Sequence, residues 1–247
     1  MEIKTKGVVL SRTFVGEKDA IIKILTENSG MISASAKGIK SMKSKLASGC
    51  SLFSCSDFLI TESNGRYIVA SAVLSDSFYG LSSNIERLSY ATYIAEVTQA
   101  VSPAPEDAAL IIPLILNTFY LLANSNKNLR LIKCVFELRL LSLLGYAPEL
   151  DGCVECGETQ ELCFFSPRDG GVVCRGCGGA FDTQIISPDT ISALRYVKDA
   201  DDKRAFSFAL SKTNLDEFES CSEKMLENII GYRVSSLNYL KQIAGRI

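Results

Sequence analysis

Apolar residues in the first 80 positions fall in short runs rich in Val, Ile and Ala, separated by turn residues. Val8-Val9-Leu10, then residues 20–25, 31–36, 51–61 and 67–74, read as five strands. Asn28-Ser29-Gly30 marks a turn between the second and third, and Ser63-Asn64-Gly65 joins the fourth and fifth. Asn-Gly between two such runs is a strong hairpin signal, because both turn residues must tolerate a positive φ. Five strands in this length match a small barrel. Beyond Ser82 the period becomes helical. Ser83-Asn84-Ile85-Glu86 reads as a capping box, with Ile85, Leu88, Ala91, Ala95 and Thr98 near helical spacing behind it. Pro105, followed by Glu106 and Asp107, opens a second helix that Pro113 is expected to break or kink. A third helix runs over 128–144 and stops at Gly145, with Pro148 soon after. Ser187-Pro188-Asp189 opens another, and 215–243 supplies at least one more. The expectation is an α+β multidomain chain: a five-stranded barrel over 1–80, then an all-α domain in two parts, 81–150 and 182–247, with a cysteine-rich element over 151–181 between them.

Composition changes this picture little. Hydrophobic residues make up 47% of 247, enough for a sizeable core. The net charge of −2 hides an asymmetry: residues 1–50 carry nine Lys/Arg against four Asp/Glu, and the remainder 17 against 24. A basic front on an acidic body points to a local anionic partner. The opening MEIKTKGVVLSRT lacks the apolar core of a secretory signal. The longest apolar run, AALIIPLILNTFYLLA at 108–123, is shorter than a membrane span and reads as a buried helix. Nine cysteines, an odd number, fit a reduced cytoplasm better than a disulfide framework.

Four of those cysteines carry a pattern. Cys153-x2-Cys156 and Cys174-x2-Cys177 are separated by seventeen residues. Each Cys-x-x-Cys forms a knuckle with both sulfurs on one side, and two knuckles place four thiolates at the corners of a tetrahedron, the geometry of structural Zn²⁺ sites. Gly157, Gly176, Gly178 and Gly179 allow the close turns this requires. A redox pair and a disulfide are the rival readings. Four thiolates leave no open position for water, so the expected ion, one Zn²⁺, builds structure. Cys163 has no partner at knuckle spacing, and Cys50, Cys55, Cys134 and Cys221 read as core residues.

The chain has no histidine, which removes Ser-His-Asp and Cys-His nucleophile machinery. It has no phosphate-binding Gly-rich loop of the Walker or dinucleotide type. No catalytic residue is assigned. Residues 37–45, KGIKSMKSK, place Lys37, Lys40, Lys43 and Lys45 among serines with no acid. Such a segment can lie along a phosphate backbone, and equally can be a solvated loop. Arg12 and Lys23 extend the patch in this reading, and Phe14, Phe53, Phe58 and Tyr67 are either base-stacking or core residues.

The segments TKGVVLSRTFVGEKDAIIKILTENSGMISASAKGIKSMKSK, FELRLLSLLGYAPELDGCVECG, FSPRDGGVVCRGC and ISPDTISALRYV together resemble the RecO family of bacterial DNA repair and recombination mediators, over about Thr5 to Val197. The resemblance implies an N-terminal OB-type barrel followed by a helical domain carrying a four-cysteine zinc element. It implies single- and double-stranded DNA binding, annealing of complementary strands, and cooperation with RecR and single-strand-binding protein so that RecA is loaded, with no membrane partner and a cytoplasmic, nucleoid-associated location. Carried over, the DNA contacts are Arg12, Lys37, Lys40, Lys43 and Lys45, and the zinc ligands Cys153, Cys156, Cys174 and Cys177. Arg130, Lys133 and Arg139 on the long helix are the candidates for the acidic tail of single-strand-binding protein. The sequence departs from the family in one respect: its loop holds lysine and serine where relatives are often richer in arginine, and lysine lacks the bidentate fork. The function expected is a non-enzymatic recombination mediator; the alternative is a zinc-knuckle protein–protein adaptor without direct DNA binding.

Overall fold

The computed structural model describes residues 2–179, 182–202, 204–243 and 245, so the expected end of the cysteine element at 181 lies outside the described residues. Five strands close a barrel: β1 (Glu2–Val15), β2 (Asp19–Thr26), β3 (Gly30–Ala36), β4 (Cys55–Ser63) and β5 (Arg66–Asp76), in the order β1-β2-β3-β5-β4. All neighbours are antiparallel except β3 and β5, which is the OB-type arrangement. The long β1 serves both sides: its first half pairs with β4 and its second with β2. Two features let it turn the corner. The β1–β2 register shifts between Val9 and Ser11. Gly7 lies against β2 so closely that a Cβ there would meet Ile24 Cγ2 at 2.7 Å and the Leu25 carbonyl at 2.8 Å. Val9, Ile22, Ile24, Ile32, Phe58, Ile60 and Val69 fill the barrel. The β4–β5 turn forms as its sequence demands, with Asn64 at φ 51° and Gly65 at φ 70°.

Residues 37–54 form an ordered cap on the barrel. Ile39 and Cys50 are buried in its core. The Asp19 carboxylate accepts from Gly38 N at 2.8 Å, and Lys40 N donates to the Lys18 carbonyl at 3.1 Å. Val9 exchanges both backbone bonds with Phe53 and Ser54, at 2.9 Å each, so the cap occupies the polar groups freed at the β1 bulge. Residues 51–54, expected at the start of the fourth strand, belong to this cap.

A 3-10 turn (Tyr79–Leu81) leads to α1 (Ile85–Val101) and α2 (Pro105–Asn124). The N-cap of α1 is Asn84, whose side chain accepts from Glu86 N and Arg87 N; the expected capping box does not form, because Ser83 Oγ donates to the Gly80 carbonyl instead. α2 runs unbroken through Pro113. The N–H that proline lacks would have met the Ala109 carbonyl, and both residues lie on the exposed face, where water can serve that carbonyl. At 20 residues α2 is long and apolar enough to cross a membrane, longer than the apolar run suggested. Ile111, Ile112, Leu114, Ile115, Phe119 and Leu122 are nonetheless buried, which makes α2 a core helix with one open face. Arg87 caps its C-terminus through the carbonyls of Leu122, Ala123 and Ser125.

Four more helices and a small sheet follow: α3 (Leu129–Leu143), then β6 (Leu162–Ser166), β7 (Gly171–Cys174) and β8 (Gln184–Ile185), then α4 (Pro188–Asp199), α5 (Lys212–Ile230) and α6 (Ser235–Ile243). Ser187 caps α4 as its sequence announced. Packing divides the chain into two compact units. One holds residues 1–125 and 234–247: the barrel, α1, α2 and α6. The other holds 126–233: α3 to α5 and the β7-β6-β8 sheet. In the first, Glu96 of α1 accepts from Ser235 N, Ser235 Oγ and Ser236 N at the start of α6.

Candidate metal centre and nucleic-acid interface

Two tight turns build the metal centre. Gly157 N donates to the Cys153 carbonyl and Gly178 N to the Cys174 carbonyl, both at 2.8 Å. Gly157 needs its positive φ of 78°. Gly178 needs its missing side chain, since a Cβ there would lie 2.1 Å from the Phe164 ring. The sulfurs of Cys153, Cys156, Cys174 and Cys177 consequently fall within 4.8 Å of one another. Cys156 and Cys174 are 3.7 Å apart. A tetrahedral ion with ~2.3 Å bonds to sulfur sets its ligands roughly 3.8 Å apart, so the donor set fits a metal ion bound by four thiolates.

The thiols also divide their charge unevenly. Partial burial pushes Cys153 up, but the amides of Cys174, Cys156 and Glu155 outweigh it and bring its pKa down to about 6. Thiol–thiol contacts, with Cys156 foremost, push Cys177 up to about 12. Anions crowded in this way need a cation among them to ionise together. The remaining cysteines take no part. Burial raises Cys50 and Cys55 to about 11 and Cys221 to about 12, and pushes Cys134 well up. Cys163 is half-buried in β6.

On the barrel, Lys37, Lys40, Lys43 and Lys45 are all exposed on the cap. No ion pair engages them among the described residues. Lys40 Nζ lies 4.5 Å from the Phe14 ring centroid, and the Arg12 guanidinium 5.1 Å from the same centroid. Phe14 is 49% exposed, whereas Phe53 and Phe58 are buried and Tyr67 packs on the barrel core. Of the four aromatics, Phe14 is the one open to a stacked base. Lys23 does not extend the patch: it pairs across the sheet with Ser11 and Ser33, while Arg12 pairs with core-facing Ile22. Directly opposed residues share a face, so Lys23 projects from the other side of the sheet.

The three cations expected on the surface of the long helix have other roles. Lys133 is fully buried, with Nζ 2.7 Å from Glu223, 3.0 Å from Glu137 and 3.5 Å from Glu219. Arg130 is clamped at 2.5 Å by both Asp216 and Glu219; burial costs its charge, but those two carboxylates outweigh the cost and raise its pKa. Arg139 reaches Asp202 at 2.5 Å and the Ala200 carbonyl at 3.1 Å, closing the end of α4. A partner cannot reach Lys133, and the other two are held inside their own unit. Glu137 is four positions from Lys133, but the other carboxylates responsible lie 63 to 90 positions further along the chain, beyond the reach of local pattern.

A closed OB-type barrel with a basic cap, helices, and a four-cysteine centre define a fold class, a barrel-and-helix protein with a metal-binding cysteine cluster, rather than a single activity. Comparison with known proteins narrows it. Residues 1–78 match the family described as "Recombination protein O N terminal", and residues 82–238 match "Recombination protein O C terminal". The chain is 33% identical over 246 residues to a protein named DNA repair protein RecO from Acetivibrio thermocellus, covering 98% of this chain and 97% of the relative. It is 36% identical over 199 residues to one of the same name from Alkaliphilus metalliredigens, covering 80% and 81%, and 33% over 196 residues to one from Rubrobacter xylanophilus, covering 78% and 79%. The chain belongs to the RecO family of DNA repair proteins.

Proposed function

We propose that this protein is a non-enzymatic mediator of recombinational repair that binds single- and double-stranded DNA and anneals complementary strands. The observation that carries the reading is the set of exposed lysines on the barrel cap, unpaired with any carboxylate among the described residues, beside Arg12 and the open ring of Phe14. Unpaired ammonium groups release counterions from phosphate at little desolvation cost. With one strand held on the basic face, a second meets a less repulsive surface, and pairing proceeds without nucleotide hydrolysis.

The four-cysteine centre holds one structural zinc ion in this reading, through Cys153, Cys156, Cys174 and Cys177. All-thiolate donors favour Zn²⁺ among the common tetrahedral ions, and no fifth ligand position is built. The partners expected of a mediator are RecR and single-strand-binding protein, with RecA acting downstream, in the bacterial cytoplasm near the nucleoid. With Arg130, Lys133 and Arg139 engaged internally, the apolar groove of Leu131, Phe208, Leu210 and Leu215 becomes the candidate for an acidic, apolar-ended tail, and Lys127, which also donates to the Phe206 carbonyl, stands at its edge. The adaptor alternative makes no use of the exposed lysines.

The test is annealing of two complementary fluorophore-labelled oligonucleotides without ATP. Purified protein is expected to accelerate pairing. A variant with Lys37, Lys40, Lys43 and Lys45 all changed to Ala is expected to lose most of that acceleration. DNA-dependent ATP hydrolysis by the protein, or annealing indifferent to the four lysines, contradicts the reading.

A further inference from the structure

Between the barrel cap and the 3-10 turn before α1 lies a cavity of about 300 Å³. Its aromatic floor is fixed from behind, because Phe53 and Phe78 both meet buried Phe119 edge-on, at 5.1 and 5.7 Å between centroids. Phe53 holds a left-handed backbone, φ 66°, that side-chain-bearing residues seldom adopt. Leu52, 38% exposed, is an apolar lining residue, and Arg12 supplies a guanidinium. That guanidinium has no hydrogen-bond or ion-pair partner among the described residues, and no acidic residue lines the cavity. Ser48 and Ser82 offer exposed hydroxyls.

These features complement one ligand chemistry. Buried Phe53 gives the cavity no open ring, but the slot of half-buried Phe78 with exposed Tyr79 and Leu52 suits the face of a base, and an unpaired guanidinium beside them suits a phosphate. The volume lies at the small end of the range for bound small molecules, the scale of one nucleotide. We infer that this cavity is a subsite for a single unstacked nucleotide of a DNA strand, with the base in the slot and its phosphate on Arg12. The inference rests on the DNA-binding reading above and goes beyond it, because phosphate neutralisation alone needs no base pocket. It also gives the barrel a preference for single strands: a paired base must leave its partner before it can enter.

The test uses a 12-residue oligothymidylate carrying 5-iodouracil, crosslinked to the protein by light, with the attachment site mapped by mass spectrometry. The expected crosslink is at Phe78 or Tyr79. Ser82→Leu narrows the cavity and is expected to abolish that crosslink and weaken oligonucleotide binding about tenfold. The slope of affinity on salt changes by no more than about 0.7, the share of the one phosphate on Arg12. Ser48→Leu repeats the test from a second lining position, and unchanged thermal melting excludes misfolding of either variant. Crosslinks found elsewhere and none at residues 78–79, or a crosslink there that both substitutions leave intact, overturn the subsite while DNA binding stands. Failure of the wild type to bind the oligonucleotide overturns both.

Discussion

Lys37, Lys40, Lys43 and Lys45 on the barrel cap, and Arg130, Lys133 and Arg139 along α3, are both short clusters of cations, the first with no acid among them and the second with one, Glu137. Their environments are opposite. The cap lysines are exposed, and no carboxylate engages them among the described residues. The α3 cations meet Glu219, Glu223, Asp216 and Asp202 across the helix pack, and Lys133 is removed from solvent entirely. The cap bends back on a barrel whose nearby acid, Asp19, is occupied by the Gly38 amide. α5 instead delivers a row of acids, at positions 216, 219 and 223, onto one face of α3. Availability of a cation to a partner is set by the carboxylates that tertiary structure brings, not by the density of positive charge along the chain.

The sharpest extension of that contrast is the cysteine centre, where four thiols converge as Glu137, Glu219 and Glu223 converge on Lys133. Cys174→Ser is expected to lose the bound metal and unfold residues 151–179 together. The effect is large, because structural zinc sites contribute on the order of 10 kcal/mol to the elements they hold. Metal content by mass spectrometry and local hydrogen exchange read it. One zinc per wild-type chain supports the assignment, and intact protection after complete metal loss breaks it.

Next in size is Lys133→Met. Removing the cation leaves Glu137, Glu219 and Glu223 buried beside one another. Urea unfolding should show a loss of about 3–5 kcal/mol. Single-stranded DNA affinity should hardly change, and a large loss of DNA binding with normal stability would reverse the roles assigned to the two clusters. Changing Glu137 and Glu223 to Leu in the same chain should restore much of the stability, since apolar packing replaces a buried ionic cluster at little net cost.

A smaller effect concerns acid. Glu217 accepts from Ser187 N and Oγ at 2.8 Å and from Thr190 Oγ1 at 2.6 Å, at the start of α4. Partial burial pushes its carboxyl up, but these bonds outweigh it and hold the pKa below the ordinary value of 4.5. A depressed folded pKa contributes stability that is present above 4.5 and is lost as pH falls through the folded value. Glu217→Gln should therefore flatten the acid limb of the stability profile below about pH 4.5. An unchanged limb would remove Glu217 from the account.

Much of this was legible because it is local. Asn64-Gly65 dictates its turn, the two Cys-x-x-Cys pairs dictate their knuckles, and Ser187-Pro188 starts α4. The features that escaped are made by distant pairing. Only residues 8–10 of β1 look like a strand, since EIKTK and SRTFV are polar or mixed; they extend because β4 holds one end and β2 the other. Ser83 matches a capping box by type, yet the turn before α1 draws its hydroxyl to Gly80. Pro113 reads as a break, but the Ala109 carbonyl that it leaves without a donor lies on the exposed face of α2. The α3 cations give little local sign of burial, as all their acidic partners but Glu137 lie on α5 and beyond α4. By sequence Phe14 is one of four equal aromatics; Arg12 and Lys40 against its ring set it apart.

The central claim is that the cap lysines are the ones that meet phosphate. It is tested most directly by titrating single-stranded DNA binding with salt, by fluorescence anisotropy, for the wild type and for the variant with Lys37, Lys40, Lys43 and Lys45 changed to Ala. If the cap neutralises three or four phosphates, the slope of log affinity on log salt flattens by roughly 2 to 3 in the variant, at about 0.7 per phosphate. Equal slopes for the two proteins would contradict the claim and move the DNA off the barrel cap.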